Sequence, residues 1–244
     1  TFWGAKPALD ALPIASAEGP NGQVSSEPSA STLREGLDAE QAFVGNKAGD
    51  VAGALKGAAK VVEAVYGVPF QNHATMEPMN ATALWTPERC EVWTPTQNGE
   101  AALAATADAA GLPATSCEVY KIHLGGGFGR RGATHDWVRQ VVLIAREMPG
   151  TPVKLIWTRE EDMTHGRYHP VTQCRMRAAL DGDGNLTGLH MRISGQSILA
   201  AIAPQRLVEG RDPVTFQGLN PGRPEAAIGY TIPDILVHPP TPHP

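Results

Sequence analysis

The sequence is short of the features that announce several common protein classes. It holds only three cysteines, Cys90, Cys117 and Cys174, which are far apart and odd in number. That spacing supplies neither a disulfide framework nor a metal knuckle, so the thiols read as buried and free. Basic residues are outnumbered, 20 Lys and Arg against 25 Asp and Glu, for a formal net charge of −5. A chain of that sign lacks the electrostatic footprint of a nucleic-acid binder. No apolar run approaches the roughly 18 residues a membrane-spanning helix needs. No serine triad or reactive-cysteine context stands out, so any difficult chemistry falls to a cofactor.

The 244 residues, 42% of them hydrophobic, are enough to bury a real core. Residues 6–12 read as a short helix and 17–31 as a polar Gly, Pro and Ser-rich loop. Helices are expected at 32–43 and 50–59, so that residues 1–60 form a helix- and loop-rich leading segment. Residues 61–244 read as a mixed α+β domain in which helices pack on mixed sheets. Its first strand, 61–68, alternates as a half-buried strand does, and 82–85 with 91–94 make a hairpin around Thr86-Pro87-Glu88. A helix at 98–110 stops at Gly111-Leu-Pro113, with Thr94 or Thr96 as its cap. A strand at 117–124, a helix at 133–148 and a strand at 153–158 follow. The last third is a meander, 171–180 and 186–197, turning at Asp181-Gly-Asp183-Gly-Asn185. That turn imitates a calcium loop, but Leu186 stands where a glycine belongs and Arg192 where a bidentate glutamate belongs. His73 and Glu77 lack the second histidine of a zinc helix, and Gly166 and Pro170 keep His165 and His169 off one helical face.

The densest signal is Gly125-Gly126-Gly127-Phe128-Gly129-Arg130-Arg131-Gly132, where an apolar run feeds five glycines within eight residues. Glycine lets a backbone N–H approach a ligand closely, so this loop reads as a cofactor cradle. Gly127 to Gly132 satisfies the G-x-G-x-x-G pattern of an NAD(P)-dependent dehydrogenase, with Glu160 as the acidic ribose contact. Against that, Glu160 lies 28 residues past Gly132 rather than roughly 20, and two arginines occupy the turn. A non-catalytic scaffold or interaction segment is the further alternative.

Five motifs occur in order: Glu77-Pro78, Trp93-Thr-Pro-Thr-Gln97-Asn98, Gly125-Gly-Gly-Phe-Gly129, Thr158-Arg-Glu-Glu-Asp-Met163 and Gly166-Arg-Tyr-His-Pro170. Together they resemble the molybdopterin-binding large subunit of the xanthine oxidase and aldehyde oxidase family, nearest to the beta subunit of isoquinoline 1-oxidoreductase. The resemblance implies a molybdenum hydroxylase that oxidises an isoquinoline-like N-heteroaromatic or an aldehyde with water as the oxygen source. It implies molybdopterin with molybdenum, in the cytosine dinucleotide form, and iron–sulfur clusters on a small partner subunit. Gln97 would present its side-chain amide to the metal's ligand field, with a helix cap as its other reading. Gly126, Gly127, Phe128 and Gly129 would lie against the metal and pterin, and Arg130 and Arg131 would reach pterin or phosphate oxygens or stay solvated. Gly132 stands where purine-oxidising members carry a glutamate. The family's catalytic base lies further downstream, so no catalytic residue is assigned within this chain. The opening Thr1-Phe2-Trp3 and the extended 237–244 read as the ends of an internal fragment that is inactive alone. Its bacterial compartment, periplasm or cytoplasm, stays open.

Overall fold

The computed structural model describes residues 1–215, 218–219 and 228–239. Residues 240–244 of the extended close lie outside them. In chain order the helices are α1 (Phe2–Asp10), α2 (Ser26–Gly36), α3 (Val51–Gly57), α4 (Gly99–Ala110), α5 (Asp136–Arg146), α6 (Arg159–His165) and α7 (Ile198–Ile202). The strands are β1 (Asn46–Ala48), β2 (Lys60–Val68), β3 (Gln71–Asn72), β4 (Asn80–Trp85), β5 (Cys90–Pro95), β6 (Cys117–Ile122), β7 (Val153–Ile156), β8 (Tyr168–His169), β9 (Thr172–Leu180), β10 (Leu186–Gly195) and β11 (Asp234–His238). This is the α+β class. The chain divides into two units, Thr1–Ala17 with Asn72–His169, and Glu18–Gln71 with Pro170–Pro244. The boundary read at residue 60 falls inside the second unit, at the start of β2.

The first unit is built on a four-stranded sheet of order β6-β5-β4-β7. β4 and β5 form the expected hairpin, Thr82 opposite Trp93 and Trp85 opposite Cys90. The Thr86 hydroxyl holds the turn by accepting from the Glu88 and Arg89 N–H groups. β6 runs parallel to β5, Cys90 beside Cys117 through Pro95 beside Ile122, and a parallel pair needs a crossover, which α4 provides. The cap of α4 is Asn98, whose side chain accepts from the Ala101 N–H at 3.1 Å, not the expected threonines. Thr94 is occupied by the Trp137 indole and Thr96 by the Asn98 N–H. Gly111 ends the helix in the left-handed conformation at φ 68°.

α5 presents Trp137, Val138, Val141, Val142 and Ala145, an i, i+1, i+4, i+5, i+8 stripe, to the core. These residues close over Met79, Ala81, Ala83, Cys90 and Val92, and each fully buried valine contributes on the order of 2 kcal/mol. Burial, with Cys117 and Glu91 nearby, pushes the Cys90 thiol up to about 12, which makes it an inert packing residue.

The second unit carries a five-stranded sheet of order β1-β11-β10-β9-β2. β9 and β10 make the expected hairpin, and Asp181 turns its carboxylate onto the N–H groups of Asp183 and Asn185. The carboxylate thereby holds the turn, and among the described residues no metal-binding group of His, Cys, Asp or Glu forms. β2 is a strand as expected, but not half-buried. It is an edge strand, paired among the described residues with β9 alone, and its valines are exposed. The helix expected at 32–43 runs from Ser26 to Gly36 instead, with Glu27 in its first turn and Arg34 in its last. Those charges suit the helix dipole, and Leu33 and Leu37 are the buried anchors. The expected helix at 6–12 likewise begins earlier, at Phe2, capped by Thr1. Among the described residues no helix is long and apolar enough to cross a membrane.

Candidate functional site

Strand direction gathers the motifs. The parallel ends of β5 and β6 lie side by side, Pro95 next to Ile122. β4 runs the opposite way and so begins at that same end, where its Asn80 is opposite Ile156 at the end of β7. Glu77-Pro78 before β4, Gln97 after β5, the glycine loop after β6 and Thr158-Arg159 after β7 therefore converge on one end of one sheet. Loops at the carboxyl ends of parallel strands are where open α/β sheets bind ligands.

The glycine loop is built around two residues from other segments. Glu77 exchanges two bonds with Gly125: its N–H donates to the Gly125 carbonyl at 3.1 Å, and its Oε2 accepts from the Gly125 N–H at 2.9 Å. A Cβ at Gly125 would collide with the Glu77 side chain. Gln97 uses its carboxamide oxygen to accept from the N–H groups of both Gly129 and Arg131, each at 3.2 Å. Two donors facing one end of the carboxamide fix that end as oxygen, because the amide nitrogen can only donate. The Gln97 NH2 then points away from the loop backbone, and it has no hydrogen-bond partner among the described residues. Because Asn98 caps α4, Gln97 is not a helix cap. A Cβ at Gly127 would come within 2.6 Å of Gln97 Cδ and closer still to Oε1, so only glycine leaves room for this carboxamide.

Phe128 is 69% exposed and has φ 53°. A phenylalanine in the left-handed region is strained, and an exposed one gains little from burial, so the surrounding bonds impose the conformation. It is not a core residue.

The two arginines are placed otherwise than the resemblance implies. They are neither solvated nor free to reach a ligand. Arg130 is 3% exposed and grips Asp136 bidentately, both contacts 2.9 Å, over the faces of Trp137 and Trp157. Arg131 is fully buried and donates to the Gly126 carbonyl at 3.0 Å, the Glu77 carbonyl at 2.7 Å and the Glu77 carboxylate at 3.1 Å. Burial pulls its guanidinium below the usual arginine range, and the Glu77 charge opposes that. Both side chains brace the loop from beneath. Arg159 does the same from α6, bonding the Thr75 and Met76 carbonyls and Asp162.

His73 is hydrogen-bonded, as a structural histidine would be, and it also borders this loop. Its Nδ1 lies 3.2 Å from the Arg167 carbonyl, and its ring stacks on His169 with centroids 4.1 Å apart. The signal for it was adjacency to Glu77-Pro78, one of the five motifs.

The dinucleotide alternative fails on topology. A G-x-G-x-x-G unit needs its two strands as parallel neighbours, whereas β6 and β7 occupy opposite edges with β5 and β4 between them. The helix also begins at Asp136, four residues beyond Gly132.

A helix-backed sheet whose strand ends present a braced glycine loop and a glutamine amide defines a cofactor-binding α+β domain. Residues 36–198 match the model of the molybdopterin cofactor-binding domain, and the chain belongs to that family. The aldehyde oxidoreductase molybdenum-binding subunit PaoC of Escherichia coli K12 is 28% identical over 141 residues, covering 58% of this chain and 19% of that protein. Isoquinoline 1-oxidoreductase subunit beta of Brevundimonas diminuta is 36% identical over 104 residues, 40% of this chain and 13% of that one. Quinoline 2-oxidoreductase of Pseudomonas putida 86 superposes with a TM-score of 0.55 at 25% identity, covering 64% of this chain and 20% of that one. The aldehyde oxidoreductase of Desulfovibrio desulfuricans ATCC 27774 shares the fold, with a TM-score of 0.60 at 18% identity over 82% of this chain and 21% of that one. The chain thus spans about a fifth of the length of the first of these relatives.

Proposed function

We propose that this chain is the part of a molybdenum hydroxylase that carries the glycine-loop side of the cofactor site, in a protein oxidising an aldehyde or an isoquinoline-like N-heteroaromatic. The observation that carries the reading is the Gln97 carboxamide, its oxygen spent on two loop N–H groups and its NH2 left to face a ligand. The residues fit molybdopterin on two counts. Gly127 has no room for a side chain, which brings loop backbone and Gln97 together, and the Gln97 amide is a donor aimed at no protein acceptor. Gln97, Gly126, Gly127, Phe128 and Gly129 would hold the group, in its cytosine dinucleotide form. Arg130 and Arg131 would act by bracing the loop. When bound there, molybdopterin with molybdenum supplies oxidation of a carbon centre with water as the oxygen source.

The chain itself binds and orients. Gln97 holds the loop with one atom and offers a donor with another, while Phe128 stands as an exposed wall beside it. The carboxylates nearest the loop are committed: Glu77 to Gly125 and Arg131, Asp136 to Arg130, Asp162 to Arg159. None is free to act as a base, so the catalytic base is supplied from outside these residues, and electrons leave to iron–sulfur clusters on a partner subunit.

The test is Gln97→Ala in the complete protein. Turnover should fall about 10–100-fold, the usual loss when a group supporting a metal's ligands is removed, while molybdenum content by mass spectrometry stays near that of the unaltered protein. Unchanged turnover at full metal content would remove Gln97 from the site.

A further inference from the structure

We propose that His73 is a hydrogen-bond acceptor of the candidate site, which would take an N–H of the pterin held by the glycine loop. The inference rests on the glycine-loop reading above and adds a residue to it. The space into which a Cβ at Gly129 would project is open, and the one atom bordering it within 4 Å is His73 Nε2, at 3.9 Å. The tautomer follows from the other nitrogen. Nδ1 faces the Arg167 carbonyl at 3.2 Å, and a carbonyl only accepts, so Nδ1 carries the hydrogen and Nε2 the lone pair. Nε2 has no hydrogen-bond partner among the described residues.

The surroundings keep it in that state. Burial disfavours the imidazolium, and the neighbouring His169 and Arg130 add like charge, against the Arg167 carbonyl and Asp162, which favour it. The stack on His169, tilted by 36°, holds the ring plane. Gly129 is thereby held on its N–H side by the Gln97 oxygen and bordered on its open side by an imidazole acceptor. Acid converts Nε2 from acceptor to donor, and the bond to an N–H is lost.

The experiment is the rate at which the complete protein releases pterin on dialysis, followed by fluorescence of the released pterin across a pH series. His73→Phe keeps the ring stack and removes Nε2, whereas His73→Gln offers an amide oxygen near the Nε2 position that does not titrate. The unaltered protein should release pterin faster in acid, with the change setting in below the ordinary histidine value of about 6.5 because burial holds His73 under it. His73→Phe should release it about five-fold faster at neutral pH, the factor for one neutral hydrogen bond, with that acid dependence gone. His73→Gln should restore slow release without the acid dependence. Unaltered release from His73→Phe would overturn the proposal, and so would equal loss from both variants, which would mark a packing role. An unaltered protein that purifies with no pterin would sink the glycine-loop reading and this proposal with it. Pterin present, with release from His73→Phe unchanged, would sink only this one.

Discussion

Replacing Gly127 with alanine tests the joint between loop and glutamine directly. The backbone at 127 is not left-handed, so alanine is allowed there and the effect comes from contact alone. The added Cβ would stand 2.6 Å from Gln97 Cδ, where ordinary contact begins at 3.4 Å, and the three nearest atoms all belong to the Gln97 side chain. That side chain must retreat by close to 1 Å and give up its bonds from the Gly129 and Arg131 N–H groups. At about 1 kcal/mol for each bond the loss is about 2 kcal/mol, and a displacement of that size at a reacting centre costs about 100-fold in rate. A double-mutant cycle isolates the cause. With Gln97→Ala already present the obstructing atoms are gone, and Gly127→Ala should then cost less than about 0.5 kcal/mol. Urea denaturation of the four proteins, with turnover measured alongside, gives the coupling. If Gly127→Ala costs the same in both backgrounds, the glycine is not there for Gln97.

Arg131→Met should destabilise by about 3–5 kcal/mol, because it removes the buried cation paired with Glu77 and leaves the Gly126 carbonyl beneath the loop without its donor. A denaturation midpoint equivalent to a loss under about 1 kcal/mol would show that the loop is not braced from below. Acid should weaken the fold through His73, His135, His190 and His238, each held below 6.5 chiefly by burial. Their folded forms resist protonation more than their unfolded forms, so the associated stability is full above 6.5 and is lost as the pH falls from there through the folded values. Urea midpoints at about pH 7.5 and about pH 5.5 should differ in that direction, and a higher midpoint in acid would contradict the burial of these rings.

Local signals identified the elements whose ends are punctuated. Gly111 stops α4, Thr86-Pro87 turns the hairpin, and Asp181 to Asn185 turn β9 into β10, each through chemistry within a few residues. The start of α2 reads as loop because of its Ser and Pro content, and the leucines that anchor it do so by burial that sequence does not show. The family resemblance singled out Gln97 and the glycines separately, and the structure shows that they touch. The arginines were misassigned for a physical reason. Arg131 is held by Glu77, 54 residues upstream, and Arg130 by an aspartate at the next helix start, under two indoles. Guanidinium beside a glycine loop suggests an anion site only until its partners are known. Likewise, G-x-G-x-x-G specifies a backbone shape and says nothing of strand order, and strand order is what excludes a dinucleotide fold.

The precision of the candidate site is set in the core rather than in the loop. Gln97 and Gly129 come from segments that meet only because β5 and β6 run parallel in one register. A slip of one residue would move Gln97 along the sheet by about 3.3 Å and exchange the two faces of β6, breaking both bonds to its carboxamide oxygen. What forbids the slip is Cys90 beside Cys117, both buried, with Val92 beside Val119, packed against α4 and α5. A loop of five glycines would be floppy by itself, since glycine loses the most conformational freedom on ordering. Here its geometry is dictated by Glu77, Gln97 and two buried arginines that the core holds in place. The glycines supply closeness, and the strand register supplies position. A change to the β5 and β6 core packing should therefore disturb ligand binding at the loop before it unfolds the sheet.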